Sequence, residues 1–405
     1  MREPDPVHRK PAYLRHWPYL ALVAILAIAA TIYAAFSGTE KKGLTDAQLF
    51  DPRFAPFEAK GAAPAELLKK AQEGNVFAQA GLAERYKFGK DGFPQDNTQY
   101  FEWARKAAGL GHPWARLESG ICYFHGIGTT QDYIQALLMF RIEAVDSNDQ
   151  VAQLYMGFLS NGNHGLPKND EVAAMWFRKS AEQGNAEAAS CYAIHLMNGF
   201  GVPKDSAAAI KYLRIAVNSG ITAAYTNLGW SYANGEGVAK DQQQAIRYYR
   251  MAAARNDPVS CNNLGLLYLH GKGVIKDDEE AVRFFRVASG EGHVPAKKNL
   301  GYMYAEGKGV KSDDTVASGL YLEVAYDGDA ECQRVIGSRY KMGIGLPRDP
   351  TEAYAWYNIA AASGDEQAIK ARKELEDLLD GGVASSGQKR SRELLKEIEA
   401  KKAKK

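Results

Sequence analysis

The chain has 405 residues, 46% of them apolar, and its 50 basic residues almost balance its 48 acidic ones. That length and apolar content suffice for a long continuous core, and the near-neutral charge leaves no basic surface for nucleic acid. The eight histidines are scattered and no His-Glu-x-x-His or Cys-x-x-Cys spacing occurs, so no metal site is expected.

From the N-terminus, residues 1–16 form a short segment carrying Arg2, Arg9, Lys10 and Arg15. Residues 17–36 predict a transmembrane helix, because Leu20 to Phe36 is uncharged and almost wholly apolar, with Trp17, Tyr19 and Tyr33 toward its edges. At about 1.5 Å per residue, about 20 residues cover a bilayer core of about 30 Å. The basic residues before the span, against Lys41, Lys42 and Arg53 after it, favour a single-pass protein with a cytoplasmic N-terminus. The rest of the chain is then on the periplasmic or extracytoplasmic side. A cleaved signal peptide with Ala27-Ile28-Ala29 as its cleavage box is the rival, although the apolar run continues past that box. Residues 37–63, with Gly38, Gly43, Pro52, Pro56 and Gly61, read as a linker, and residues 64–74 predict a single cap helix.

Residues 75–364 repeat. The second glycine of a Gly-x-Gly turn falls at Gly201, Gly237, Gly273, Gly309 and Gly345, 36 residues apart each time, a period that marks stacked helical units. One copy carries Ala224, Leu228, Gly229, Tyr232, Gly235, Gly237, Val238, Asp241, Ala245, Tyr248, Tyr249 and Ala252. The next carries Leu264, Gly265, Tyr268, Gly271, Gly273, Val274, Asp277, Ala281, Phe284, Phe285 and Ala288. Turns at Gly89 and Gly92, Gly126 and Gly128, and Gly162 and Gly165 extend the series upstream, for eight units. Ala224, Leu228, Gly229 and Tyr232 follow helical spacing, with glycine where another helix comes close. After the turn, the aspartate starts a second helix by accepting N–H bonds from its first turn. Asp96 with Gln99, Asp132 with Gln135, Asp241 with Gln244, Asp277 with Glu280 and Asp349 with Glu352 have capping-box spacing, and Pro350 sits just inside its helix. The second helix sets large pairs such as Tyr248 and Tyr249 before a small Ala252, so neighbouring helices interdigitate.

The pattern Leu-Gly-x-x-Tyr-x-x-Gly-x-Gly-Val-x-x-Asp-x-x-x-Ala-x-x-Tyr-Tyr-x-x-Ala resembles the Sel1-like repeat, a branch of the tetratricopeptide superfamily. The resemblance implies an all-α, right-handed α-solenoid of eight helix-turn-helix repeats, here behind a single N-terminal transmembrane helix. Departures are local: Thr129 stands for the Val, Asn169 for the Asp, Tyr192 and Ala193 for the Leu-Gly pair, and Ser119 for the Leu.

Asp365 to Leu379 predicts a polar-faced helix, and beyond a Gly381-Gly382 break residues 391–402 read as an amphipathic helix with Leu394, Leu395 and Ile398 on one side. Residues 365–405 are thus C-terminal cap helices and a basic tail, and such caps keep terminal apolar faces from water. Cys122, Cys191, Cys261 and Cys332 fall two units apart, roughly 20 Å along the axis, whereas a disulfide needs Cα atoms within about 7 Å. Unpaired thiols favour a reducing compartment, so a cytoplasmic solenoid is the alternative to the orientation read from charge.

No nucleophile, base or metal set converges, and the Gly-x-Gly turns follow helices where a dinucleotide fingerprint needs a strand. No enzyme activity and no cofactor are expected. The resemblance implies that first helices line a concave surface, and that related clamps use Asn and Lys at matching columns. Asn227, Trp230 and Asn234 share a face turned away from the second helix. Across units the columns read Cys191, Asn227, Asn263, Asn299 and Ile194, Trp230, Leu266, Tyr302, with Asn262 and Lys298 alongside. The candidate partner-binding residues are therefore Asn227, Trp230, Asn262, Asn263, Leu266, Lys298, Asn299 and Tyr302: amides to hold a peptide backbone, aromatics to anchor it. The same asparagines also suit bonds between neighbouring helices. The expected function is a membrane-anchored scaffold or adaptor that binds a protein or peptide partner and meets the membrane through its N-terminal helix. A cell-envelope maintenance factor with a peptidoglycan or carbohydrate ligand, and a hydrolase with a hidden site, are the alternatives.

Overall fold

The computed structural model describes residues 64–402 apart from 163, 379 and 380, so the expected membrane span at 17–36 and the linker at 37–63 lie outside the described residues. Among the described residues all regular structure is α-helical, and no helix is long and apolar enough to cross a membrane.

The chain divides into two compact units, Met1–Ser219 and Gly220–Lys405. In the first, α1 (Pro64–Gln72) precedes four hairpins: α2 (Val76–Phe88) with α3 (Asn97–Gly109), α4 (Pro113–His125) with α5 (Tyr133–Val145), α6 (Gln150–Ser160) with α7 (Asp170–Glu182), and α8 (Ala186–Asn198) with α9 (Ser206–Asn218). The second unit holds α10 (Thr222–Asn234) with α11 (Gln242–Ala253), α12 (Pro258–His270) with α13 (Asp278–Gly290), α14 (Val294–Glu306) with α15 (Asp314–Tyr326), and α16 (Ala330–Met342) with α17 (Pro350–Ala362). Two further helices, α18 (Glu366–Leu378) and α19 (Gly381–Lys402), end it. Within each unit a second helix packs on its own first helix and on the first helix of the following hairpin.

One turn shows why the sequence folds this way. Helix α10 ends at Gly235, whose φ of 77° is left-handed and costs glycine nothing, and the Gly235 N–H caps the Ser231 carbonyl. Asp241 then opens α11 by accepting the Gln243 and Gln244 N–H groups at 2.9 and 3.0 Å. The reciprocal half of the expected capping box is not made, because the Asp241 N–H is already donated to the Tyr232 carbonyl at 2.9 Å. Asp132, Asp277 and Asp349 spend theirs the same way, on Tyr123, Tyr268 and Tyr340. The aspartate therefore serves two ends at once, its side chain starting the second helix while its main chain closes the hairpin. The second turn glycine answers to packing between hairpins: a Cβ on Gly309 would run into the main chain of Asp278 in the hairpin before.

The glycine of the first helix faces an aromatic ring twenty positions on. A Cβ on Gly265 would lie 2.5 Å from Phe285, and one on Gly229 2.8 Å from Tyr249, while Gly120, Gly157, Gly301 and Gly337 meet Phe140, Phe177, Tyr321 and Tyr357. In the fourth hairpin Ala193 replaces the glycine and Leu213 replaces the ring, and both are fully buried. The Tyr192-Ala193 departure is thus a matched exchange, a methyl gained against a ring lost.

The C-terminal end differs from expectation. Gly381 and Gly382 lie inside α19, and its buried residues are Gly387, Ser391, Leu394 and Ile398, while Leu395 is exposed. That face lies on α17 and reaches α15. Gly387 comes against Tyr354, Arg390 bonds Glu352 at 2.6 Å and Glu397 at 2.7 Å, and the Tyr326 hydroxyl donates to Glu397 at 3.0 Å. Glycine at 387 lets the helix sit close, which swings Leu395 outward and Ser391 inward.

Candidate partner-binding face

The eight candidate residues all lie on α10, α12 and α14, first helices of the second unit. Burial of Ala224 and Leu228 against α11 leaves Asn227 half-buried and Trp230 42% exposed. Two hairpins on, Tyr302 is 39% exposed. Leu266 between them leans on the core cluster around Leu264, Phe285 and Leu300. The Lys308 ammonium donates to the Tyr302 hydroxyl and lies 4.6 Å from its ring centre.

The polar candidates are mostly engaged within the protein. The Asn299 amide donates to the Asn262 carbonyl oxygen at 2.9 Å, joining α14 to α12. Asn263 lies beside the hydroxyl of Tyr249, a phenol that burial pushes up to about 12 and that the asparagine pulls down. Lys298 is held by Asp329 at 3.1 Å and by Glu331, which ties α14 to the start of α16. Asn227 has no hydrogen-bond partner among the described residues. An asparagine amide carries two donors and an acceptor, so Asn263 and Asn299 keep capacity for a ligand after these contacts.

Three features escaped the sequence reading. In the first unit Ile121 and Phe158 occupy the same position of their hairpins as Ile194 and Trp230 and, like Ile194, are half-buried. The signal was there, since this position follows the glycine directly and the repeat pattern leaves it open. A second column caps the first helices: Asn75, His112, Asp149, Asn185, Asp257, His293 and Asp329 each accept a first-turn N–H through the side chain. Third, largely buried ion pairs join helices of the first unit, between hairpins at Glu118 and within one hairpin at Glu143. Glu118 receives the Tyr100 hydroxyl and Lys87 at 2.7 Å, and Arg116 reaches Glu143, whose carboxyl burial raises.

Little here suits chemistry on a substrate. All four cysteines are free thiols, and burial pushes Cys122 and Cys261 up to about 11 and Cys191 and Cys332 up to about 12. Such thiols stay protonated and weakly nucleophilic near neutral pH. Among the described residues no group of three or more His, Cys, Asp or Glu is placed to hold a metal ion.

The Sel1 repeat family model matches residues 76–112, 115–142, 150–185, 186–221, 222–257, 258–293, 294–328 and 330–365, one for each hairpin. The chain belongs to the Sel1 repeat family. Among solved structures, a Sel1 repeat protein from Oxalobacter formigenes is 26% identical, with a TM-score of 0.58 over 78% of this chain and 91% of that one. The protective antigen c5321 of uropathogenic Escherichia coli, which displays an SLR fold, is 24% identical with a TM-score of 0.43, covering 82% and 87% of the two chains. No curated protein matches. For this Sel1-repeat chain the fold is thereby fixed as a helical-hairpin array, and the positions the family pattern leaves open are where its individual function is to be sought.

Proposed function

We propose that this chain is an interaction scaffold that holds a protein segment on the first-helix face of α10, α12 and α14. Sel1 repeats generally mediate contacts between proteins, which supports the class of function. The observation that carries the choice of face is the pair Trp230 and Tyr302, large rings at one repeat position, half-exposed and outside the core. Aromatic anchors of this kind dominate the energetics of protein interfaces. Trp230→Ala combined with Tyr302→Ala should remove about 1 to 2 kcal/mol per ring from partner binding. Affinity capture with the intact chain and the double variant, compared at equal helical content, tests it. A partner set retained at undiminished affinity by the variant moves the binding surface elsewhere.

The scaffold is read as anchored by residues 17–36, with its N-terminus cytoplasmic and the repeats on the periplasmic or extracytoplasmic side. Supporting this is the uncharged run from Leu20 to Phe36. Expressed protein should stay in the membrane pellet after carbonate washing with its N-terminus intact. A soluble product beginning near Ala30 would identify a cleaved signal peptide.

A further inference from the structure

We propose that the face bearing Asn227, Trp230, Asn263, Leu266, Asn299 and Tyr302 binds an uncharged, proline-rich segment in the polyproline II conformation, seated one turn per repeat. The inference rests on the face assigned above and adds the conformation and charge of what it takes.

The first argument is periodicity. Trp230, Leu266 and Tyr302 offer one apolar side chain per hairpin, at a position the repeat pattern does not constrain. Consecutive first helices are separated by about one helix-packing distance, about 10 Å. A β-extended ligand rises about 3.3 Å per residue, so its third residue reaches the next anchor but points to the opposite side. A polyproline II ligand rises about 3.1 Å per residue with three residues per turn, so every third side chain returns to the same side about 9.3 Å on. An α-helix also comes near the spacing with its seventh residue, at about 10.5 Å.

The second argument separates those two. Beside each apolar anchor stands an asparagine, and each of Asn227, Asn263 and Asn299 has amide groups left to donate. An α-helix has consumed its main-chain carbonyls internally, whereas polyproline II leaves all of them free. Only the second gives the asparagine row a main chain to hold. Flat aromatic surfaces with neighbouring donors are also the surfaces on which proline rings pack.

The third argument is charge. None of the six residues is charged, Lys298 is committed to Asp329 and Glu331, and Lys308 to the Tyr302 hydroxyl. A neutral ligand therefore loses nothing on this face, while a charged one gains no partner.

The test uses the intact chain and a fluorescently labelled peptide of four tandem Pro-Pro-Leu triplets, read by anisotropy. Comparison probes are the same composition with its leucines clustered, an uncharged helical peptide with leucine at every seventh position, and a neutral N-acetylglucosamine oligosaccharide. The triplet peptide should bind with an affinity that changes less than about twofold between low and high salt, since no ion pair forms. Clustering the leucines should weaken it about tenfold, as should Trp230→Ala or Tyr302→Ala. Tighter binding of the helical peptide or the oligosaccharide, lost in Trp230→Ala, overturns the polyproline inference while leaving the face in place. Absence of triplet binding at about 1 mM overturns the inference by itself. If no probe responds to Trp230→Ala, the assignment of the face falls with it.

Discussion

His112 closes the first turn of α4 with its ring: Nδ1 accepts the Ala115 N–H at 3.3 Å, with Phe77 and Trp114 edge-on beside it. A ring nitrogen can accept only while unprotonated, and a cation at a helix N-terminus meets the positive end of the helix dipole. Burial, and after it the Arg116 guanidinium, push this imidazole down to about 4. The folded state thus favours the neutral form that an unfolded histidine, titrating near 6.5, gives up sooner on acidification. The resulting contribution, about 3 kcal/mol as an order of magnitude, is complete above pH 6.5 and is lost as pH falls toward 4. His112→Asn keeps a capping side chain, as Asn75 and Asn185 do at the same position, and removes the titration. Urea unfolding should show the variant losing some packing at pH 7.5 and gaining on the native protein by about 2 kcal/mol at pH 5. A stability difference that does not change with pH would exclude the neutral-cap account. The cap at His112 was illegible in sequence for a plain reason. Histidine is not among the usual capping residues, and a cap is recognised from the residues it precedes only when its own type is diagnostic.

At the scale of the element, α19 behaves as part of the core and not as a tail. Leu394 and Ile398 are buried with Val324, Ala325, Ala355, Trp356 and Ile359, and Arg390 pins the helix to Glu352 on α17. The array needs this because α17 is the second helix of the last hairpin, and its outward face would otherwise meet water. The second helices α11 and α13 carry Arg250 and Arg286 at a position where α15 and α17 carry Leu322 and Asn358. The exposed arginines, which bond Tyr268 and Tyr304, thus give way to uncharged residues over the stretch that α19 covers. Helical periodicity alone locates the helix, but which stripe is buried was set by Gly387, a small residue no hydrophobic count registers. Leu394→Ala with Ile398→Ala should cost about 2 to 5 kcal/mol at each site, free α19 for proteolysis, and cause concentration-dependent self-association through the uncovered apolar face. Leu395→Ala should leave all three unchanged. Equal effects from Leu395→Ala, measured by sedimentation and limited proteolysis, would count against this packing.

For the whole molecule, repetition made the fold legible and hid the function. The glycine period, the aspartate starts and the large-small pairs each mark a contact made identically in successive hairpins, so eight hairpins could be placed from residues alone. What distinguishes one hairpin from another is decided by contacts between neighbours: Asn299 with Asn262, Lys298 with Asp329, Lys87 with Glu118. Those pairings depend on which residues face each other across helices, and no single column of the repeat carries that information. Because packing within each unit runs between sequential hairpins, a local defect should stay local. Gly265→Ala adds a methyl 2.5 Å from Phe285, a ring that is fully buried and has no room to swing away. The gain of about 0.5 to 1 kcal/mol from removing a helix-interior glycine is smaller than an overpacking cost of about 1 to 3 kcal/mol, so the change destabilises. Adding Phe285→Leu recreates the Ala193 and Leu213 pair of the fourth hairpin, and the double variant should recover about 1 kcal/mol relative to the sum of the single ones. Hydrogen exchange in Gly265→Ala should accelerate across α10 to α15 while α2 to α5 keep their protection. Uniform acceleration from α2 to α19 would mean that the array unfolds as one cooperative body, and the nearest-neighbour account of its stability would fail.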